Sequence, residues 1–345
     1  MSLYSINPLS DSRWSDLVSI HPRASAFHDP GWLAALSRTY GYEPIVLTST
    51  PPGKPLRNGM VYCRVASWLT GTRLVSLPFS DHCDPLLSSP DELGEFMEHV
   101  SAESDQRHYR YVECRRIMPA HEATSGFRVN GSYYLHMIDL RPSLQQIFER
   151  FHKSSIQRKI RRAEREGLSC ETGSSEQQMG EFYRLMRTTR KRHHRLPQPR
   201  AWFRNLIQCM GDRIEVRLAR KDGTAIAAML TLRNRNSIVY KYGCSDERFH
   251  HLGSMPFLFW KLIEEGKASG TEVLDLGRSD LGHEGLIVFK DRLGATRELL
   301  RYYRRSSHQP RGVLTWGANT MRRLLPVLPE TFLSAAGEAL YKHVG

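Results

Sequence analysis

The chain lacks any run of about 18 consecutive apolar residues, so nothing in it reads as a membrane-spanning helix. It also lacks a CxxC pair. The six cysteines (Cys63, Cys83, Cys114, Cys170, Cys209 and Cys244) stand singly along the 345 residues. Scattered thiols suit reduced, mostly buried cysteines and argue against a disulfide framework or a zinc site. The opening MSLYSINPLSDSRW has no basic start followed by an apolar core, so no secretory signal is read and a cytoplasmic location is expected. No repeat of solenoid period and no low-complexity tract is visible.

Positive charge is what the chain has in surplus: 49 Lys and Arg against 36 Asp and Glu, a formal +13. Such a balance favours an anionic partner (RNA, a phosphorylated cofactor, a nucleotide-linked sugar or an acidic lipid) without choosing among them. The hydrophobic share of 40% and charged share of 25% are ordinary for a globular protein. The length exceeds what one core usually serves, so two domains are the default.

Local signals give a mixed α/β reading. Asp29-Pro30 marks a helix start over GWLAALSRTY, extended segments follow at about 43–49, 59–68 and 73–79, and Ser89-Pro90-Asp91-Glu92 reads as a capping box. YRYVECRR and SYYLHMIDL are strand-like. Leu144, Ile147, Phe148 and Phe151 mark a helix by their spacing. The next stretch, HKSSIQRKIRRAEREG, reads as a helix capped by Ser154-x-x-Gln157 and ended by Gly167, with Ile156, Ile160 and Ala163 as a narrow apolar stripe. Its remaining faces are basic: either a solvated surface or an anion-binding one. A helix over about 176–192 ends in the run RKRHHR. Its cations suit a helix C-terminus, or phosphates of a substrate. Then come RAWFRNLIQCM as a short helix, three strands in a meander, an amphipathic helix carrying Met255, Leu258, Phe259, Leu262 and Ile263, and the strand TEVLDLG. EGLIVFKDRLG and TRELLRYYRR follow it. The tail, about 311–345, mixes basic and apolar residues around two prolines; it reads either as short helices packed on the body or as a surface-lying amphipathic segment.

Residues 237–276 have the order strand, glycine-containing loop, amphipathic helix, strand, which resembles the acyl-CoA-binding core of GNAT acyltransferases. A loop that opens a helix aims backbone N–H groups and a positive dipole end at a pyrophosphate. The GNAT signature Gln/Arg-x-x-Gly-x-Gly/Ala is half met: Arg248 takes the first position, His251 stands where the first glycine belongs, and Gly253 takes the second, just before Ser254. FHDPGWLAAL, SLPFSDHCDPLL, SIQRKIRRAEREGL, RTTRKRHHRLPQP, YKYGCSDERFHHLGSMPFLFWKLIEEGKASG and VLDLGRSDLGHEGLIVFKDRLGA occur in that order, and together they resemble the FemAB-like acyltransferases over about residues 25–305.

The resemblance implies an α/β (α+β) fold: two tandem GNAT-like domains with mixed, largely antiparallel sheets flanked by helices. The expected partition is a degenerate domain at 1–140, an acyltransferase domain at 141–310 and a basic amphipathic tail at 311–345. It further implies N-acyl transfer from acyl-CoA or aminoacyl-tRNA to an amine of an exopolysaccharide or peptidoglycan precursor. The acceptor would be an anionic glycan or a nucleotide- or lipid-linked amino sugar, with no metal involved. tRNA is a further expected partner, as is peripheral membrane contact through the tail at the inner face. Phe289-Lys290 matches the family's Phe-Lys pair, whose lysine steadies the oxyanion formed as an amine attacks the acyl carbonyl. Lys290 sits four residues after Leu286, at the edge of a buried helix face, where a long side chain that only snorkels is the plainer alternative.

For the proton that the amine must lose, the strand end carrying Asp275 and Arg278 and the loop carrying Asp81, His82 and Asp84 are candidates. Each carboxylate reads equally as a turn or cap residue. Arg158, Arg161, Arg192 and His193 are the candidates for meeting substrate phosphates. A non-catalytic module, derived from the same fold and binding RNA or a polysaccharide-synthesis complex, is the competing reading.

Overall fold

The structure, a computed structural model, describes residues 2–117, 126–306 and 330–343. The chain forms two compact units, one of Met1–Tyr133, Glu298–Gly312 and Ala339–Gly345, the other of Tyr134–Arg297 and Val313–Glu338.

The first unit contains β1 (Tyr4–Ile6), α1 (Ser12–Ile20), α2 (Pro30–Tyr40), β2 (Glu43–Thr48), β3 (Met60–Val65), β4 (Arg73–Ser76), α3 (Glu92–Gln106) and β5 (Tyr111–Arg116). Its strands run in the order β1-β2-β3-β4-β5 and then β12 (Thr296–Ser306). Every pair is antiparallel except β4 with β5. Leu47, Tyr62, Leu74, Phe96, Val100 and Val112 build its core. Helix α2 forms where the sequence signals it: the Asp29 carboxylate accepts from Gly31 N at 2.7 Å, Pro30 opens the first turn, and Gly41 at φ +71° ends it.

The second unit contains β6 (Arg128–Asp139, shared at its start with the first), α4 (Leu144–Arg150), α5 (Arg158–Arg165), β7 (Ser169–Gly173), α6 (Glu176–Arg192) and α7 (Arg200–Met210). There follow β8 (Ile214–Lys221), β9 (Thr224–Asn234), β10 (Ser237–Ser245), α8 (Ser254–Ala268), β11 (Val273–Asp280) and α9 (Glu284–Arg292). Its strand order is β6-β11-β10-β9-β8-β7. β7 to β10 pair antiparallel in sequence, and β10 pairs with β11 in parallel. Both units are thus mixed sheets flanked by helices, as the fold class read from the sequence requires. Helix α8 is the central element: Phe257, Leu258, Phe259, Leu262 and Ile263 are buried in the same cluster as Ile160, Ile226, Ile238 and Leu276. Each such side chain contributes roughly 1.5–3 kcal/mol relative to exposure.

Two local expectations need correction. The Ser89…Glu92 box does not form: Ser89 Oγ turns to Asp91, while the Glu92 carboxylate accepts from Ser88 N and from Asn58 Nδ2, both at 2.9 Å. Nor does Ser154 cap the basic helix. A π-helical turn, Lys153–Gln157, precedes α5, with the His152 ring accepting from Ser155 N. Gln157 Nε2 turns back to donate to Phe148 O and Phe151 O. A tertiary demand on Gln157 therefore outweighs its local use as a cap. Of the tail, residues 307–329 lie outside the described residues; the helix Glu330–Tyr341 is described, and the Tyr42 hydroxyl donates to Lys342 O at 3.1 Å.

The first unit holds a histidine that sets a pH dependence. Ser25 N–H donates to His28 Nδ1 at 3.1 Å, so the ring's proton sits on Nε2, which donates to Asp84 O at 2.8 Å. Burial pushes His28 down from its usual 6.5 to about 4. Below pH 6.5 the unfolded chain takes up a proton that the folded ring refuses. Stability is therefore full above that pH and falls, by about 3 kcal/mol for this group, as pH drops towards 4. Urea unfolding between neutral and mildly acid pH should show this slope, and His28→Gln should be less stable at neutral pH with a flatter acid limb. An unchanged slope would contradict it.

Candidate functional site

The parallel pairing of β10 and β11 is short. It covers Ser237↔Val273, Ile238↔Leu274 and Val239↔Asp275, and there the register stops, although β10 runs on to Ser245 and β11 to Asp280. On its other side β10 shifts register between Tyr240 and Tyr242 in its pairing with β9. A bulge of this kind bends a strand and increases its twist. The two parallel strands therefore part towards their C-terminal ends, where open α/β sheets place ligands.

Lys290 meets β11 just beyond the last paired residue. It is 3% exposed, and its ammonium donates to Gly277 O at 2.8 Å and to Arg278 O at 3.1 Å. Two successive carbonyls reach one ammonium because the strand kinks there: Gly277 has φ +70°, and the Asp275 carboxylate accepts from Gly277 N at 2.7 Å. Asp275 is itself buried, and its observed bond shapes the kink. Phe289 packs on the core, 5.9 Å from the Phe259 ring, which lies 4.8 Å from Tyr240. The Tyr240 hydroxyl occupies the place where Gly243 would carry a Cβ, so a side chain at 243 would displace that hydroxyl. Burial pushes the Tyr240 phenol up, keeping it protonated.

A second buried group adjoins Lys290 and escaped the sequence reading. His136 on β6 is fully buried; among the described residues neither ring nitrogen has a hydrogen-bond partner, and Nε2 stands 3.7 Å from Asp291 Oδ1. Burial, reinforced by the charge of Lys290, lowers its pKa to about 4, so the ring is neutral beside the ammonium. Ser279 Oγ, two residues past the kink, is likewise buried and has no partner among the described residues. Orphaned buried polar atoms are rare enough to mark a place where water or a ligand belongs. The available signal was a histidine in the alternating strand SYYLHMIDL.

Cations gather at the end of β10. Arg192 Nη1 donates to Ser245 O at 3.2 Å and lies 3.4 Å from His250 Nε2, which is 2.8 Å from Ser245 Oγ. Burial, then the charges of Arg192 and Lys159, keep His250 below its ordinary pKa. Burial likewise lowers His193, helped by Arg192, Arg195, His283 and Arg190. Next to this cluster α8 begins. Gly253 has φ +77°, and a Cβ there would stand 2.5 Å from Lys159 O. Gly253 and Ser254 are buried at this junction.

The other candidates are placed differently. Arg248 pairs with Asp246 at 2.6 Å, and of the loop's two histidines, both exposed, His250 is the one that lies beside Arg192. Arg158 and Arg161 are exposed on α5, the latter stacked 5.6 Å over Phe148. Arg278 contributes its carbonyl to Lys290. In the first unit His82 is buried edge-on to Phe27 at 5.3 Å, Asp84 Oδ1 accepts from Ile117 N at 3.2 Å, and Asp81 O accepts from the Tyr302 hydroxyl at 2.6 Å. These contacts hold that loop in shape. Among the described residues no three His, Cys, Asp or Glu come together to hold a metal, and no helix is long and apolar enough to cross a membrane.

Solved structures share the fold across both units. FemX aligns with a TM-score of 0.69 at 12% identity, covering 87% of this chain and 97% of that one. L-PGS from Bacillus licheniformis aligns at 0.58 and 13% identity, covering 98% and 97%. A tandem GNAT protein from the clavulanic acid biosynthesis pathway aligns at 0.54 and 12%, covering 90% and 100%. At such identities the likeness is one of fold. A search of curated proteins found no match. Residues 150–291, which span the parted strands, α8 and Lys290, match the family model described as Acetyltransferase (GNAT) domain, so the chain carries a GNAT-type acyltransferase fold.

Proposed function

We propose that the protein is an N-acyltransferase that moves an acyl or aminoacyl group onto an amine of a cell-envelope glycan precursor. The observation that carries this reading is the parting of β10 from β11 beside a buried, oriented lysine. In this reading the donor's acyl group enters between the parted strands, and its phosphates lie against the start of α8 and the Arg192–His250 cluster. The amine nitrogen attacks the acyl carbon, the carbonyl oxygen takes up negative charge, the bond to the leaving sulfur or ribose oxygen breaks as the carbonyl re-forms, and the proton that the amine loses passes to that leaving atom. Lys290, fixed by two carbonyls, offers that oxygen a cation needing no rearrangement. Asp275 then acts through the bend it fixes. A tRNA or CoA donor and a nucleotide- or lipid-linked amino-sugar acceptor would all suit the surplus of positive charge.

A second reading, a non-catalytic module on the same fold, draws on one observation: Lys290 commits two donors to backbone, as a purely structural lysine would. Thermal unfolding with acyl-CoA and with aminoacyl-tRNA tests the enzyme reading. A donor at 100 times its dissociation constant adds about 2.7 kcal/mol, so one of the two should raise the midpoint measurably. No shift with either would leave the second reading in place.

A further inference from the structure

The turn between β3 and β4 displays large apolar side chains to solvent. Trp68 is 85% exposed and its neighbour Leu69 is 43% exposed. Turn tips usually carry small polar residues, and a bare indole there has a solvation cost that needs a reason.

The turn is also built to hold its shape. Ser67 Oγ accepts from Leu69 N at 3.2 Å and from Thr70 N at 2.9 Å, Gly71 N donates to Ser67 O at 2.8 Å, and Arg110 Nη1 donates to Thr70 O at 2.9 Å. The end of the chain locks it from below: His343 O accepts from Thr70 Oγ1 at 3.0 Å and from Arg73 Nη2 at 2.9 Å, while His343 Nδ1 lies 2.9 Å from Ser67 Oγ. The Trp68 ring touches His343 edge-on at 5.5 Å and still leaves most of its surface free.

The two segments that meet at this tip carry cations and no acid. Arg73, Arg110 and Lys342 belong to the cluster, and the segments ASWLTGTR (66–73) and ALYKHVG (339–345) contain no Asp or Glu. After burial, the charges of Lys342 and Arg73 are what lower the His343 pKa, so the field there is positive.

We infer that this turn is an interfacial anchor, seating Trp68 and Leu69 at the headgroup level of an anionic lipid surface while Arg110 and Lys342 meet the lipid phosphates. Indoles favour that depth, and each nearby cation adds attraction to an anionic leaflet. Two side chains are too small a patch for a stable protein interface, whose core needs many more. The inference is independent of the acyl-transfer reading.

Co-sedimentation of the full chain tests it, using vesicles of phosphatidylcholine alone and of phosphatidylcholine mixed with phosphatidylglycerol. The wild type should partition onto the mixed vesicles and only weakly onto the neutral ones. Trp68→Ala combined with Leu69→Ala should lose about tenfold or more of that partition with unchanged circular dichroism, both positions being on the surface. Brominated acyl chains should quench tryptophan fluorescence in the wild type and much less in Trp68→Phe. Failure of the wild type to bind mixed vesicles, equal binding to neutral ones, or full binding by the double variant would each overturn the anchor.

Discussion

Replacing Lys290 by Met is expected to lower the rate of acyl transfer by about 10²–10³-fold while the donor's KM stays within about twofold. Methionine keeps the length and apolar stem but removes the charge that sits where β11 leaves β10. The change also strips a donor from Gly277 O and Arg278 O, and leaving buried carbonyls unpaired costs about 1–3 kcal/mol of stability. The two effects separate cleanly. Lost charge lowers kcat at temperatures where the protein is fully folded, whereas lost structure lowers the unfolding midpoint. A variant that is destabilised yet transfers at the wild-type rate would reduce Lys290 to a structural peg and favour the non-catalytic reading.

The second large effect is expected at Gly253. Alanine there meets two obstacles at once: a left-handed φ of +77°, and a Cβ only 2.5 Å from Lys159 O, a backbone atom that cannot swing away. Either α5 or the start of α8 must move, at about 3 kcal/mol or more. Because the N–H groups at the start of α8 are displaced with it, donor binding should weaken by about tenfold or more. Gly167 supplies the control. It has φ +68° but nothing within 4 Å of a Cβ, so Gly167→Ala should cost only about 1 kcal/mol and leave the donor's affinity unchanged. Equal affinity losses in the two variants would mean that the junction of α5 and α8 has no special part in binding.

Much of this architecture could be read along the chain because its signals are local. Asp29-Pro30 opens one helix, and the spacing of Leu258, Phe259, Leu262 and Ile263 marks another. The buried face of Lys290 followed from helical spacing. The short elements β1 and β7 escaped, having too few residues for a period to show. What remained hidden depends on atoms far apart in sequence. Gln157 forsakes its expected cap because Phe148 O and Phe151 O need its amide. Arg192 reaches Ser245 across 53 positions, and the loop residue beside it is His250 in place of Arg248. No periodicity reports that His136 faces Asp291. The end of a strand register, which opens the site, is equally invisible in one sequence.

Hydrogen–deuterium exchange of the full chain, with and without a bound acyl donor, tests the central claim most directly. The account predicts slowed exchange in two stretches, about 240–258 and 274–292, where the parted strands, the start of α8 and the Lys290 helix lie. Protection confined to other segments, or none with either acyl-CoA or aminoacyl-tRNA at saturating concentration, would contradict it.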